Sequence, residues 1–498
     1  MNESPNYKNY KKIKIANNID QILLDCQTIM NNTMELNIME ITISGAKCAV
    51  LSIEGMVSTS SMADLIFRPI MEFEKKDNKN SELEVYKFLT SESLLSAERH
   101  VLFTYGDLVQ DLFSGFAVVV VNGIPKAVSY SIQGYAVKSI SEPTSEHNIM
   151  GSQEAFSEVI RTNISLVRRR LKSPALRFEM MQIGEQSSTD VCIVYMVDKA
   201  AKKIVDNVRT KLKNIKLDTV ISTGYIKPFL ENNYQDNLFS NIGHTDRPDV
   251  LCTNLNLGKV CVLIDGTPFA LICPMLFAEN FKTIDDYCSK NYFTIYLRLI
   301  RYLALFLAVA FPGIYVAAAC FHPEMFNMKL LLNLSASEQA TPYPLFFEVL
   351  IIMALLELMR EASIRLPSVV GSALSIVGGL IVGDAAVKSG IVSAPLLIIV
   401  GLTATASFIL PSFNQQTSVL RLVFIFAGGT AGFFGIAVCG LLVLVNICSM
   451  DEYDIPYTAP VSPFNYNGIK DLITKISFKS MEKEHNTVND FSMKKNNA

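Results

Sequence analysis

At 498 residues the chain is too long for a single hydrophobic core and should divide into two or three domains. Half of its residues are apolar and its net charge is −3, which leaves no basic excess for a nucleic acid and argues against that class of partner. Charged residues are scattered freely up to Arg301 and then become sparse until Asp451, so the apolar excess is concentrated in the C-terminal part.

The opening residues, MNESPNYKNYKKIKIANN, are polar and basic without an apolar core. No secretory signal peptide is expected there, and the soluble half should lie on the cytoplasmic side. A helical arm is expected over 1–40, with its helix at 18–34. Two α/β subdomains should follow, at 41–140 and 141–290, because the sequence repeats itself. The stretch GFAVVVVNGIPKA from Gly115 is matched about 143 positions later by GKVCVLIDGTPFA from Gly258. Each reads as a strand, an Asn122-Gly123 or Asp265-Gly266 turn that tolerates positive φ, and a second strand. Upstream, CAVLSIE from Cys48 matches CIVYMVD from Cys192, and helical patterns follow at 61–73 and 200–215.

Little in this half suggests chemistry. The five histidines have no metal-ligand spacing, and no phosphate-binding loop, nucleophile elbow or H-E-x-x-H motif is present. No metal, cofactor or enzymatic activity is therefore expected. The ten cysteines are dispersed without a C-x-x-C pair and read as small buried thiols. Arg161, Arg168, Arg169, Arg170 and Lys172 share a helical stretch. They read more readily as a solvated or headgroup-facing patch than as a specific anion site.

A multi-span helical membrane domain is expected over 291–450. Full spans are expected at about 302–321, 369–387, 394–410 and 422–447, each near the length that crosses a bilayer. Pro312-Gly313 should kink the first, and Gly379-x-x-x-Gly383 and Gly428-x-x-x-Gly432 offer faces for close helix packing. The segment 345–362 differs, because it and the residues just after it carry Glu348, Glu357, Arg360, Glu361 and Arg365. It reads either as an amphipathic surface helix or as a re-entrant, pore-lining one whose carboxylates meet ions. Ser372, Ser375, Gly379 and Gly383 could line a narrow path or simply pack. Asp384 and Lys388, four apart, read as an interfacial pair. An even number of full spans would return the tail, 451–498, to the side of the N-terminus.

Several ordered motifs then resemble one family. They are Glu142-Pro143-Thr144, Gly151-Ser152-Gln153-Glu154, Arg161-Thr162-Asn163 and Arg168-Arg169-Arg170-Leu171, followed by Arg247-Pro248-Asp249 and Asp265-Gly266-Thr267-Pro268. Pro312-Gly313, His322-Pro323-Glu324, Arg360-Glu361-Ala362, Arg365-Leu366-Pro367 and Gly383-Asp384 continue the series. Together they resemble the A subunits of bacterial spore germinant receptors, the GerA type. Ser152-Gln153 stand where that family usually has Pro-Arg, and Ser363 where it usually has Gly.

The resemblance implies a receptor subunit in the inner membrane of the endospore, with its N-terminal domain in the spore core. Its implied partners are a transporter-like B subunit that senses a nutrient, a lipoprotein C subunit and further copies of itself in a pentameric ring. The ring would be a channel that releases ions when the nutrient binds. A scaffold that docks the sensing subunit without conducting is the alternative. A transporter is disfavoured, because the membrane part shows no paired interrupted spans.

Overall fold

The computed structural model describes residues 10–73, 81–91, 98–134, 143, 151–232, 235–365, 385–474 and 487–491. The N-terminal half holds two antiparallel five-stranded sheets of the same design. In the first, β1 (Leu36–Ile43), β2 (Ala46–Ile53), β3 (Arg99–Leu102), β4 (Phe116–Val121) and β5 (Ala127–Ser131) join in the order β1-β2-β4-β5-β3. In the second, β6 (Leu176–Ile183), β7 (Thr189–Met196), β8 (Gly243–Thr245), β9 (Val260–Ile264) and β10 (Ala270–Cys273) join as β6-β7-β9-β10-β8. The central strands, FAVVVV and VCVLI, are buried along their whole length because helices cover both faces of each sheet.

On the first sheet, α1 (Ile19–Ile29) covers one face and α2 (Ser81–Ser91) the other, with α3 (Tyr105–Phe113) beside α1. On the second, α4 (Ile160–Arg170) shares one face with α7 (Pro248–Asn256). Helices α5 (Lys202–Lys213) and α6 (Thr223–Leu230) cover the opposite face. The first strand begins at Leu36, inside the segment read as an arm, and α1 packs on the first sheet as α4 does on the second.

The repeat extends to single hydrogen bonds. The Asn122 side chain accepts from Ile19 N at the start of α1 (3.2 Å), and Asp265 accepts from Ile160 N at the start of α4 (2.9 Å). Gly123 N and Gly266 N donate to Asn17 O and Glu158 O in the same way. Each hairpin turn therefore caps the helix that opens its own subdomain. The match of Cys48 with Cys192 is off by one. Cys48 pairs with Val121 and Val191 with Ile264, so the counterpart of Cys48 is Val191, not Cys192. A slip of one residue moves a strand side chain to the other face, and Cys48 and Cys192 do face different helix layers.

The helical half enters through α8 (Ile284–Cys288), α9 (Asn291–Val309) and α10 (Phe311–Phe321). The break at Ala310 follows from Pro312, which lacks the N–H that would continue the ladder of α9. Then come α11 (Met328–Gln339), α12 (Leu345–Arg365), α13 (Ala394–Phe408) and α14 (Asn414–Ser449). Two of the described helices, Asn291–Val309 and the stretch Pro411–Ser449, are long and apolar enough to cross a membrane.

The last helix is not the single straight span expected at 422–447. Gly432 adopts φ 60°, ψ −146°, and the chain reverses there. Leu238 N donates to Asn446 Oδ1 while the adjacent Phe239 ring lies 5.6 Å from that of Phe413. Phe413 and Asn446 thus meet the same two residues, whereas a straight helix would hold them about 50 Å apart. Residues 414–431 and 433–449 are therefore the arms of a helical hairpin, each about 26 Å long.

This hairpin sets the direction of its neighbours. α10 runs beside the outgoing arm, with Gly313 against Gly428 and Phe321 against Gly432. α12 returns, from Phe346 near Phe426 to Glu357 near Arg421. α13 also returns, from Ser393 at Glu348 to Ser407 at Arg421. The bundle thus has one end at the soluble half, near Phe413, and a remote end near Gly432.

After α14 the chain re-enters the second subdomain. β11 (Asp451–Glu452) and β12 (Ile455–Pro456) form a small hairpin, and Tyr453, Ile455, Val488 and Phe491 join the core under α5 and α6. Val488 N donates to Leu257 O (2.9 Å), and α15 (Tyr466–Ile473) packs on α9. The described parts of the tail are therefore on the side of the soluble half.

Candidate functional site

Where the soluble half meets the helices, Asp286 and Arg298 are both buried and bonded at 3.1 Å. Arg301 reaches the same carboxylate at 2.7 Å, and Arg298 also donates to Asp471 O at 2.5 Å. Burial alone would raise the Asp286 pKa, but the guanidiniums of Arg301 and Arg298 outweigh it and hold the carboxyl below its usual range. Lys282 and Tyr287 bond Asp471 at 2.7 and 3.1 Å, which ties α15 to the same neck. A second tie follows α14. Glu452, 1% exposed, accepts from Lys211 Nζ (2.5 Å), Asn232 N (2.8 Å) and Asn241 Nδ2 (3.0 Å).

Within the bundle, Arg421 is 1% exposed and joins four helices. Its guanidinium donates to Ala308 O at the broken end of α9 (2.8 Å), to Ser407 Oγ on α13 (2.6 Å) and to Glu357 on α12 (3.3 Å). Arg360 bonds the other oxygen of Glu357 at 2.7 Å. A charge among apolar helices is tolerated only with this kind of complete pairing. Toward the remote end, Glu348 is 2% exposed and accepts from Ser393 N at 2.5 Å. Glu361 and Arg365, bonded at 2.5 Å, are exposed. The carboxylates read together from the sequence are thus separated: Glu348 is enclosed, Glu357 is paired at the Arg421 node, and Glu361 faces outward. Ser372, Ser375, Gly379, Gly383 and Asp384 lie outside the described residues.

The motifs of the soluble half are mostly structural. Arg168 is buried, not solvated, which corrects the reading of the basic patch. It bonds Glu35 at 2.5 Å and lies over the rings of Phe113 and Phe178, locking the two subdomains together. Arg169 and Arg170 both grip Glu154; burial would raise that carboxyl, and the two guanidiniums lower it. Arg161 pairs with Glu54 across the same seam. The Asn163 side chain accepts from Ser157 N (2.8 Å) and donates to Ser157 O (2.6 Å), fixing the approach to α4. Buried Arg247 bonds Asp249 at 2.7 Å and Ser152 O at 2.9 Å, with Pro248 in the first turn of α7. Pro143 is buried, Pro268 is half-buried in the β9–β10 turn, and Glu142 lies outside the described residues.

Residues 17–487 match the family described as Bacillus/Clostridium GerA spore germination protein. The chain belongs to the GerA spore germination family. Among curated proteins it is 34% identical to spore germination protein KA of Bacillus subtilis, over 88% of this chain and 80% of that protein. It is 30% identical to spore germination protein GerLA of Bacillus cereus, over 95% and 96%. A solved structure, the N-terminal domain of the A subunit of the Bacillus megaterium spore germinant receptor GerK3, is 29% identical with a TM-score of 0.42, covering 53% of this chain and 97% of that one.

In this GerA-family chain, reading the sequence missed Glu35, Asp286, Arg298, Arg421, Ser407 and Glu452. Arg421 alone carried a signal, as the sole charge between Lys388 and Asp451. Glu35, Arg298 and Glu452 depend on partners more than a hundred residues away, and Asp286 and Ser407 on partners 12 and 14 positions away across a chain reversal that no local pattern announces.

Proposed function

We propose that this chain is the A subunit of a nutrient-responsive spore germinant receptor and forms a gated ion conduit as a homo-oligomer in the spore inner membrane. A transporter-like B subunit and a lipoprotein C subunit would be its partners, with no catalytic role for the chain itself. The observation that carries this reading is the family match, which runs from the soluble half through the helical half to residue 487. A further relative, 32% identical over 88% of this chain, is named a membrane protein.

The bundle supports a multi-span placement. The α9–α10 pair and the first arm of α14 run away from the soluble half, and α12, α13 and the second arm run back toward it. With the expected span at 369–387, of which 369–384 lie outside the described residues, six crossings would bring the tail back to the soluble half. Nutrient binding to the partner must favour the open assembly, since equal affinity for both states shifts nothing. The soluble half can pass such a bias inward at two ties, Asp286–Arg298 and Glu452–Lys211.

Conductance of the purified oligomer in liposomes tests the reading. Cation flux that loses selectivity in Glu361→Gln is expected from an exposed carboxylate that attracts ions, whereas Glu357→Gln would strand Arg421 and is expected to act on stability first. A sealed bilayer would leave the chain as a docking scaffold.

A further inference from the structure

We propose that Glu348, Ser393 and Tyr315 form a binding site for one partly dehydrated monovalent alkali cation at the remote end of the bundle. The three residues come from α12, from the position just before α13, and from α10. All are at least nine-tenths buried, at 2%, 4% and 8% exposure. Each has an oxygen without a hydrogen-bond partner: Glu348 Oε2, Ser393 Oγ and the Tyr315 hydroxyl.

Capping explains only part of this arrangement. Glu348 Oε1 accepts from Ser393 N at the start of α13, a favourable place for a carboxylate. That bond uses one carboxylate oxygen and leaves the second, with both hydroxyls, enclosed and unmatched. It also holds the Ser393 hydroxyl close to the carboxylate. Tyr315 shares a packed cluster with Val349 and Val392, the neighbours of Glu348 and Ser393. Three enclosed oxygens from three elements are a hard-ligand set, suited to alkali or alkaline-earth cations over softer metals.

Charge decides between those two classes. Among the described residues no basic side chain forms an ion pair with Glu348, so one positive charge neutralises it. A divalent ion would leave an uncompensated charge among apolar side chains, which burial strongly disfavours. The described residues also contain no group of three His, Cys, Asp or Glu side chains that could hold such an ion. Glu338 on α11 is half-buried and acts electrostatically on Glu348 and Tyr315, but it is not among the enclosed unpartnered oxygens, so it stands outside the ligand set and gives the approach a negative rim. This assignment does not depend on conduction: a sealed bilayer would end the channel reading and leave the site in place.

The test is equilibrium binding of ²²Na⁺ and ⁸⁶Rb⁺ to the full-length protein in detergent, in N-methylglucamine buffer at constant ionic strength, paired with thermal unfolding. Saturable binding of one ion per chain is expected, with a matching rise in melting temperature. Glu348→Gln should abolish it, and Tyr315→Phe and Ser393→Ala should each weaken it at least tenfold. If Glu348→Gln does not fold, Tyr315→Phe decides, since it removes only a hydroxyl. Failure of the wild-type chain to bind either isotope, or unchanged binding in Glu348→Gln, would overturn the proposal. So would a melting temperature that follows pH but no alkali cation, because the ligand would then be a proton. Unchanged affinity in both hydroxyl variants would overturn the three-ligand assignment.

Discussion

Arg298 and Arg168 carry full charges with about 1% of their surface exposed, so the carboxylates beside them are structurally indispensable. Removing one partner of a buried ion pair costs about 3–5 kcal/mol, chiefly because the other charge is left stranded. Asp286→Asn strands Arg298 and weakens the hold on Arg301, and Glu35→Gln strands Arg168. Each should lower chemical-denaturation stability by about that amount, whereas Arg365→Gln at the exposed Glu361 pair should cost less than about 1 kcal/mol. The sign of the pH effect follows from the lowered Asp286 carboxyl. Its folded pKa lies below the unfolded value of about 3.9, so its stabilisation is complete at neutral pH. The contribution is lost only as pH falls through the folded value. Melting curves of wild type and Asp286→Asn should therefore converge on acidification below about pH 4.

At the scale of elements, the bundle depends on places where no side chain fits. A Cβ on Gly313 would meet the Phe424 backbone, and one on Gly428 would meet Gly313 O. Gly313→Ala and Gly428→Ala should each cost about 1–3 kcal/mol in thermal or denaturant unfolding. Gly440→Ala, with nothing within 4 Å, is the neutral control. Gly432→Ala should cost a similar 1–3 kcal/mol, because its backbone angles suit glycine alone.

These glycines also mark how much the sequence disclosed. The paired sheets were legible because their strands are continuous apolar runs ended by Asn-Gly and Asp-Gly, a local signal. The Gly428-x-x-x-Gly432 spacing was legible too, but not its division of labour. Gly428 makes the close approach and Gly432 the reversal, and hydropathy looks the same on both sides of a turn inside an apolar run. The carboxylates of α12 were found by composition. Their separation was not, because it depends on Arg421 and Ser393, 64 and 45 positions away.

For the whole molecule, the arrangement predicts sidedness through its own cysteines. Cys288 and Cys448 are exposed beside the soluble half, and Cys320 is exposed at the remote end of α10. In single-cysteine variants in oriented vesicles, an impermeant maleimide should modify Cys288 and Cys448 from one side and Cys320 only from the other. Labelling of all three from one side would contradict the proposed six-crossing arrangement. The chain enters the bundle beside Asp286, whose partner Arg301 also bonds Phe281 O just after the second sheet, and leaves it at Glu452, held by Lys211 of that same subdomain. That subdomain holds the helices as a hand holds a key by both edges of its bow. A rotation applied to it turns the shaft as one body, where a pull on a single thread would only stretch a loop.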